Sequence, residues 1–210
     1  VQTCALPIWL ENFITLPERI GHDDFIYNLR GGNDATKKSA VLILLNDGSS
    51  GPEVLITLRS HELRSHSGQP SFPGGGIESG ETAQEAALRE SAEEVGISPE
   101  TVGVIAQLPE LYLPPSNFHV TPILAYWHQP HALGSNFSNE VVRAELISLY
   151  DLSNPVNRIM LRHRSGYRGP AFDVAGMRIW GFTGGIIDRL LFHTGFEQEW
   201  NQELTVELEP

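Results

Sequence analysis

The sequence is poor in cysteine, in positive charge and in long apolar runs, and each shortage removes a class of protein. With one cysteine among 210 residues, Cys4, an internal disulfide and a cysteine-based metal site are both ruled out. Any metal must then be held by oxygen or imidazole. Lys and Arg number 14 against 26 Asp and Glu, giving a formal charge of -12 that repels a phosphate backbone at long range. Nucleic acid is therefore not an expected partner. No apolar run approaches the ~18 residues a bilayer-spanning helix needs, and no basic stretch leads into an apolar one as in a secretory signal. These absences give the expectation of a soluble, cytoplasmic protein without membrane association. What is present, 40% hydrophobic side chains, is enough for one substantial core and one globular domain.

Residues 1–8, VQTCALPI, translate in frame from the end of a widely used sequencing adapter, whose next base also fits Trp9. Residues 1–9 are accordingly expected to be an assembly artefact, leaving Cys4 without functional meaning. Residues 10–38, interrupted by Pro17, Gly21, Gly31 and Gly32, read as an extension of short irregular or helical pieces. The apolar run 39–45, the turn signal Asn46-Asp47-Gly48 and the resumed pattern at 54–57 read as two strands. Residues 60–81 are rich in Gly, Ser, Pro and His, and feed a helix over 82–95 with a cap at its start and Gly96 at its end. Further apolar stretches lie at 102–107, 120–127 and 140–146, and a last helix is expected over 183–192. This order of elements points to an α/β class fold, an α/β/α sandwich on a mixed sheet. The acidic terminus EQEWNQELTVELEP, 197–210, reads as a fraying tail that begins at about 196.

Glu90, Glu93 and Glu94 need an explanation, because on a helix they share an arc of roughly 100°. Like charges at such spacing cost a few tenths of a kcal/mol per pair unless a cation lies between them. Hard divalent ions select such oxygen clusters, and magnesium combines a few carboxylates with substrate phosphate oxygens and water. A solvated acidic face is the competing reading, and the surrounding residues decide against it.

Those residues are Gly75, Glu81, Arg89-Glu90, Glu93-Glu94 and Gly96-Ile97, in the stretch GGIESGETAQEAALRESAEEVGI. The spacing resembles the box of the Nudix hydrolases, Gly-x5-Glu-x7-Arg-Glu-U-x-Glu-Glu-x-Gly-U with U a bulky aliphatic, and departs from it at Ser91 alone. The resemblance implies a Nudix fold with a catalytic loop-helix-loop and metal-dependent cleavage of a pyrophosphate, with Mg2+ or Mn2+ as cofactor. By that resemblance Glu90 and Glu94 are the primary metal ligands, and Glu93 is a further ligand or orients water. The Gly75 carbonyl joins the metal shell, and Arg89 pairs with Glu81 or a core glutamate to fix the geometry. Glycines at 74–76 suit a tight backbone turn ahead of the helix.

Just upstream, 55–75 reads LITLRSHELRSHSGQPSFPGG, which resembles the signature of the coenzyme A diphosphatases, Leu-Leu-Thr-x-Arg-Ser-x3-Arg-x3-Gly-x3-Phe-Pro-Gly-Gly. Ile56 replaces one leucine. The resemblance makes coenzyme A or a derivative the expected substrate, with Arg59, Arg64, Gly74 and Gly75 as substrate contacts, since guanidinium groups suit multidentate phosphate recognition. Another nucleoside diphosphate derivative, such as ADP-ribose or a dinucleotide, is the alternative substrate, and a non-catalytic binding module the remaining one. Glu140 stands where the family often places an acidic residue near the metals, as general base or extra ligand. Isolated His119, His128 and His131 are read as structural. The basic group Arg158, Arg162, His163, Arg164 and Arg168 is read as a solvated loop, with contact to an adenylate phosphate as the alternative. Trp180-Gly181-Phe182-Thr183 resembles the lead into the family's last helix, so the Nudix domain is expected over 39–195. A small-molecule partner is implied, and a homodimer is open to the chain.

Overall fold

The computed structural model describes residues 6–25, 37–60, 68–114, 117–134, 139–164 and 166–208. Cys4 and Arg64, both named above, lie outside the described residues. Twelve strands are described: β1 (Lys37–Gly48), β2 (Gly51–Arg59), β3 (Pro70–Ser71), β4 (Gly74–Gly76), β5 (Val102–Gln107), β6 (Leu111–Leu113), β7 (Phe118–Trp127), β8 (Val141–Ser148), β9 (Arg158–Arg162), β10 (Arg168–Val174), β11 (Met177–Ile179) and β12 (Thr205–Glu207). The α-helices are α1 (Glu11–Ile14), α2 (Ala83–Val95), α3 (Leu149–Ser153) and α4 (Gly181–Thr194).

The main sheet runs β3-β2-β1-β7-β5, with β4 also on β1, β6 on β7 and β8 on β2. It is mixed, because β1 and β7 are parallel while the remaining pairs are antiparallel. Alternate side chains of β1 supply two cores, as the two-residue period of a strand requires. Ala40, Leu42 and Leu44 face α2 together with Ile123, Ala125 and Trp127 of β7. Ile43 and Leu45 face the other way, onto Ile186, Ile187, Leu190 and Leu191 of α4. The expected α/β/α sandwich is thus observed. A strand buried on both faces reads as continuous apolar sequence, which is why 39–45 lacks alternation.

The second sheet runs β11-β10-β9-β12 and was not foreseen. Its last strand corrects the expectation of a fraying terminus: β12 pairs parallel with Met160, Leu161 and Arg162 of β9. Arg158 also departs from its reading as part of a solvated basic loop. It is 1% exposed, paired with Asp188 of α4 and Glu197, and stacked between Phe172 and Trp200. The short helical pieces expected near the start are present, and they bury Leu10, Phe13, Leu16 and Ile20 in the α4-side core. Trp9, at the edge of the stretch expected to be an artefact, donates its indole N–H to Asp47 and meets Phe13 edge-on. Among the described residues no helix is long and apolar enough to cross a membrane.

Candidate active site

The site is assembled where β4 enters α2. Thr82 caps the helix, its side chain accepting from the Glu85 backbone N–H while the Glu85 carboxylate accepts from the Thr82 backbone N–H, and Gly96 ends it at φ 75°. That left-handed conformation favours glycine. Between these ends, Ala86, Ala87 and Ser91 are buried against the sheet, where Ser91 Oγ donates to the Ala87 carbonyl. The small residue at the one departure from the Nudix pattern therefore lets the helix sit close to β1. Glu94 shares this buried face, and Glu90 stands one turn before it.

Two glycines of β4 leave space that neighbours occupy, backbone at Gly74 and a side-chain carboxylate at Gly75. A Cβ on Gly74 would stand 2.3 Å from the Ala40 carbonyl oxygen, and one on Gly75 would stand 2.3 Å from Cδ of Glu90. Bare backbone at 75 is what allows the Glu90 carboxylate to lie against the β4 main chain. One strand residue away, Gly74 N–H donates to Glu94 Oε2 at 3.1 Å.

Arg89 organises the outer side. Its Nε and Nη2 bond the two oxygens of Glu81 at 2.8 and 3.1 Å, Nη1 reaches Glu90 at 2.9 Å, and Nη2 also meets the Gly76 carbonyl. Bidentate pairing of this kind adds geometric definition as well as attraction. The hydrogen bonds to Glu81 first, and to Glu90, hold the guanidinium well above its usual pKa, and the same Arg89 contact lowers that of Glu81. Of the two partners expected for Arg89, the structure provides both.

Glu94 is the buried member, 4% exposed, and burial pushes its carboxyl up to about 7 against the opposing effect of the Gly74 N–H. Its nearest cation is Arg59 at the end of β2, with Nη1 at 3.9 Å from Oε1, while Arg59 Nη2 donates to Glu140 at 3.2 Å. Arg59, expected as a substrate contact, thus faces carboxylates. Glu93 is the exposed member and stands 3.6 Å from Arg89. So Glu81, Arg89, Glu90, Glu93, Glu94, Arg59, Glu140 and the 74–75 backbone form one continuous network. His119 lies outside it, paired with Glu110 at 3.0 Å, and His131 accepts from Ser98 N.

Among the described residues no three His, Cys, Asp or Glu side chains are drawn together closely enough to hold a metal ion. Arg89 holds Glu90, Gly74 holds Glu94, and Glu93 faces outward. The donor set nevertheless fits a hard divalent cation. A buried carboxyl whose charge is disfavoured by desolvation is stabilised by a nearby cation. Glu90 would add a second oxygen donor and the Gly75 carbonyl a third, with no soft ligand among them. Sequence reasoning did not anticipate the Gly74 N–H bond to Glu94 or the Gly76 carbonyl bond to Arg89. The glycine triplet was their signal.

The family profile of the NUDIX domain matches residues 36–169. The chain is 32% identical over 177 residues to Nudix hydrolase 3 of Caenorhabditis elegans, covering 76% of this chain and 74% of that protein. It is 30% identical over 187 residues to the uncharacterized Nudix hydrolase NudL of Citrobacter koseri, covering 82% and 94%. Among solved structures, the Nudix hydrolase RenU of M. smegmatis superposes with a TM-score of 0.56 at 18% identity, over 80% of this chain and 91% of that one, a likeness of fold.

Proposed function

The chain belongs to the Nudix family and is a Nudix hydrolase, and on that premise we propose that it cleaves the pyrophosphate of coenzyme A or a derivative. The observation that carries the narrower reading is the course of 55–75. Its Arg59 end is tied to Glu94 and Glu140, and its Gly74–Gly76 end forms β4 beside Glu90. Between them, Thr57 Oγ1 donates to the Ser71 carbonyl, Arg59 N to the Gln69 carbonyl and Leu42 N to the Pro73 carbonyl, while Phe72 is buried. The segment that resembles the coenzyme A signature therefore leaves from and returns to the carboxylate cluster. A loop so anchored is suited to hold the substrate beside the cluster.

In this reading Glu90, Glu94, Glu93 and the Gly75 carbonyl hold Mg2+ or Mn2+. Such an ion, when bound, lowers the pKa of water and offsets charge on phosphoryl oxygens. Arg89 fixes Glu90 through its own bond to Glu81, so the donor set is oriented before substrate arrives. Glu93 and Glu140, both solvent-facing, are the groups available to take a proton from the attacking water. Water adds to one phosphorus and a bridging P–O bond breaks, giving 4′-phosphopantetheine and adenosine 3′,5′-bisphosphate. Direct phosphate contact is assigned to Arg64 by the coenzyme A signature alone. Steady-state kinetics on coenzyme A, ADP-ribose and a dinucleotide test the assignment. Coenzyme A is expected to lead in kcat/KM by about ten-fold or more, and a lead for ADP-ribose would discard the coenzyme A reading while keeping the chemistry.

A further inference from the structure

Arg59 stands between two carboxylates that come from different parts of the chain. Glu94 belongs to α2, and Glu140 to the turn before β8. The strand pairing of β2 with β8 shifts register between Leu58 and Arg59, where Arg59 faces Val141, and Ser60 N donates to the Glu140 carbonyl at 2.7 Å. The backbone of Glu140 is thereby fixed next to β2. Its side chain is 56% exposed, and an exposed long carboxylate has little reason to keep one orientation without a well-placed partner. Arg59 is such a partner, with Nη2 on Glu140 at 3.2 Å and Nη1 at 3.9 Å from Glu94. The Arg59 side chain is only 22% exposed, and its Nε is buried without a hydrogen-bond partner among the described residues. An unmet donor opposes this placement, so the attraction of the two carboxylates for the outer nitrogens is what offsets it.

We propose that Arg59 is a positioning residue and a built-in counter-charge: it holds the Glu140 carboxylate beside Glu94 and sets positive charge where a divalent cation would engage Glu94. The proposal rests on the reading of Glu90, Glu93 and Glu94 as cation donors, and it is independent of which pyrophosphate is the substrate. Two consequences separate it from a phosphate contact. A neighbouring positive charge competes with the cation, so removing it tightens cation binding in the absence of any substrate. Loss of the bridge removes the hold of Arg59 on Glu140, so turnover falls while substrate affinity holds.

Mn2+ alone, titrated into the full chain and followed by electron paramagnetic resonance, reads the first consequence. Arg59→Gln is expected to bind Mn2+ about five-fold tighter or more, and Arg59→Lys, which keeps the charge, to stay within about two-fold of the wild type. Kinetics on whichever of coenzyme A, ADP-ribose and a dinucleotide the wild-type chain cleaves fastest read the second. Both variants and Glu140→Gln are expected to lose about ten-fold or more in kcat with KM nearly unchanged, and the Arg59→Lys, Glu140→Gln pair to lose no more than either alone. Unchanged or weaker Mn2+ binding by Arg59→Gln would overturn the counter-charge. A raised KM with intact kcat would make Arg59 a substrate contact instead. Failure of the wild-type chain to bind Mn2+ would overturn the donor assignment beneath the proposal.

Discussion

At the scale of single residues, Glu94 carries the sharpest consequence of burial. Its folded pKa of about 7 lies above the ordinary glutamate value of 4.5, so the folded state binds the proton more tightly than the unfolded chain. The linked stability is present in full below about pH 4.5 and is lost as pH rises through about 7. Thermal melts of metal-free protein should therefore fall in midpoint across that window, the linked loss of stability being on the order of 3 kcal/mol. Glu94→Gln, which retains an oxygen to accept from Gly74, should flatten the dependence and abolish turnover while remaining folded. Steep pH dependence in the variant, or turnover under saturating Mg2+, would remove Glu94 from its place in the account. Gly75 makes a steric claim of the same kind. In Gly75→Ala the new methyl would overlap the Glu90 carboxylate, so Mn2+ binding should weaken by about ten-fold or more, with a far-ultraviolet spectrum like that of the wild type. Undiminished binding would mean that Glu90 has another position from which to serve.

The helix α2 shows at the scale of an element why so much of the site was legible in the sequence. Its start, its end and its charged face each depend on residues a few positions apart: Thr82 with Glu85 at one end, Gly96 at the other, and glutamates one turn apart between them. Local rules act over such distances without help from the rest of the chain. Thr82→Ala should cost about 1 kcal/mol in urea unfolding, a smaller change being expected only if the Glu85 carboxylate keeps its bond to the residue 82 backbone N–H unaided. What local rules do not contain is the direction of a long side chain. Arg59 was expected to face phosphate because of its place in a pattern, yet its guanidinium faces Glu94 and Glu140, which lie 35 and 81 positions further along the chain.

Over the whole molecule, the parts that escaped sequence reading are those held by partners distant in the chain. Nothing in 158–162 announces a strand whose parallel partner is 205–207. Arg158 looked like one of several basic loop residues, and its burial is decided by Asp188, Glu197, Phe172 and Trp200. These contacts tie the end of the described chain to α4 and the second sheet. Arg158→Met should lower unfolding free energy by about 3 kcal/mol or more, because Asp188 keeps its buried charge after losing this partner. A loss under about 1 kcal/mol would show that Arg189, the other cation on Asp188, is sufficient. The molecule's activity is the claim to which the folded parts lead, and mass spectrometry of the products formed from coenzyme A in the presence of Mg2+ tests it most directly. The wild-type chain should give 4′-phosphopantetheine and adenosine 3′,5′-bisphosphate, and Glu94→Gln neither. Intact coenzyme A after incubation with an active preparation that cleaves ADP-ribose or a dinucleotide would contradict it.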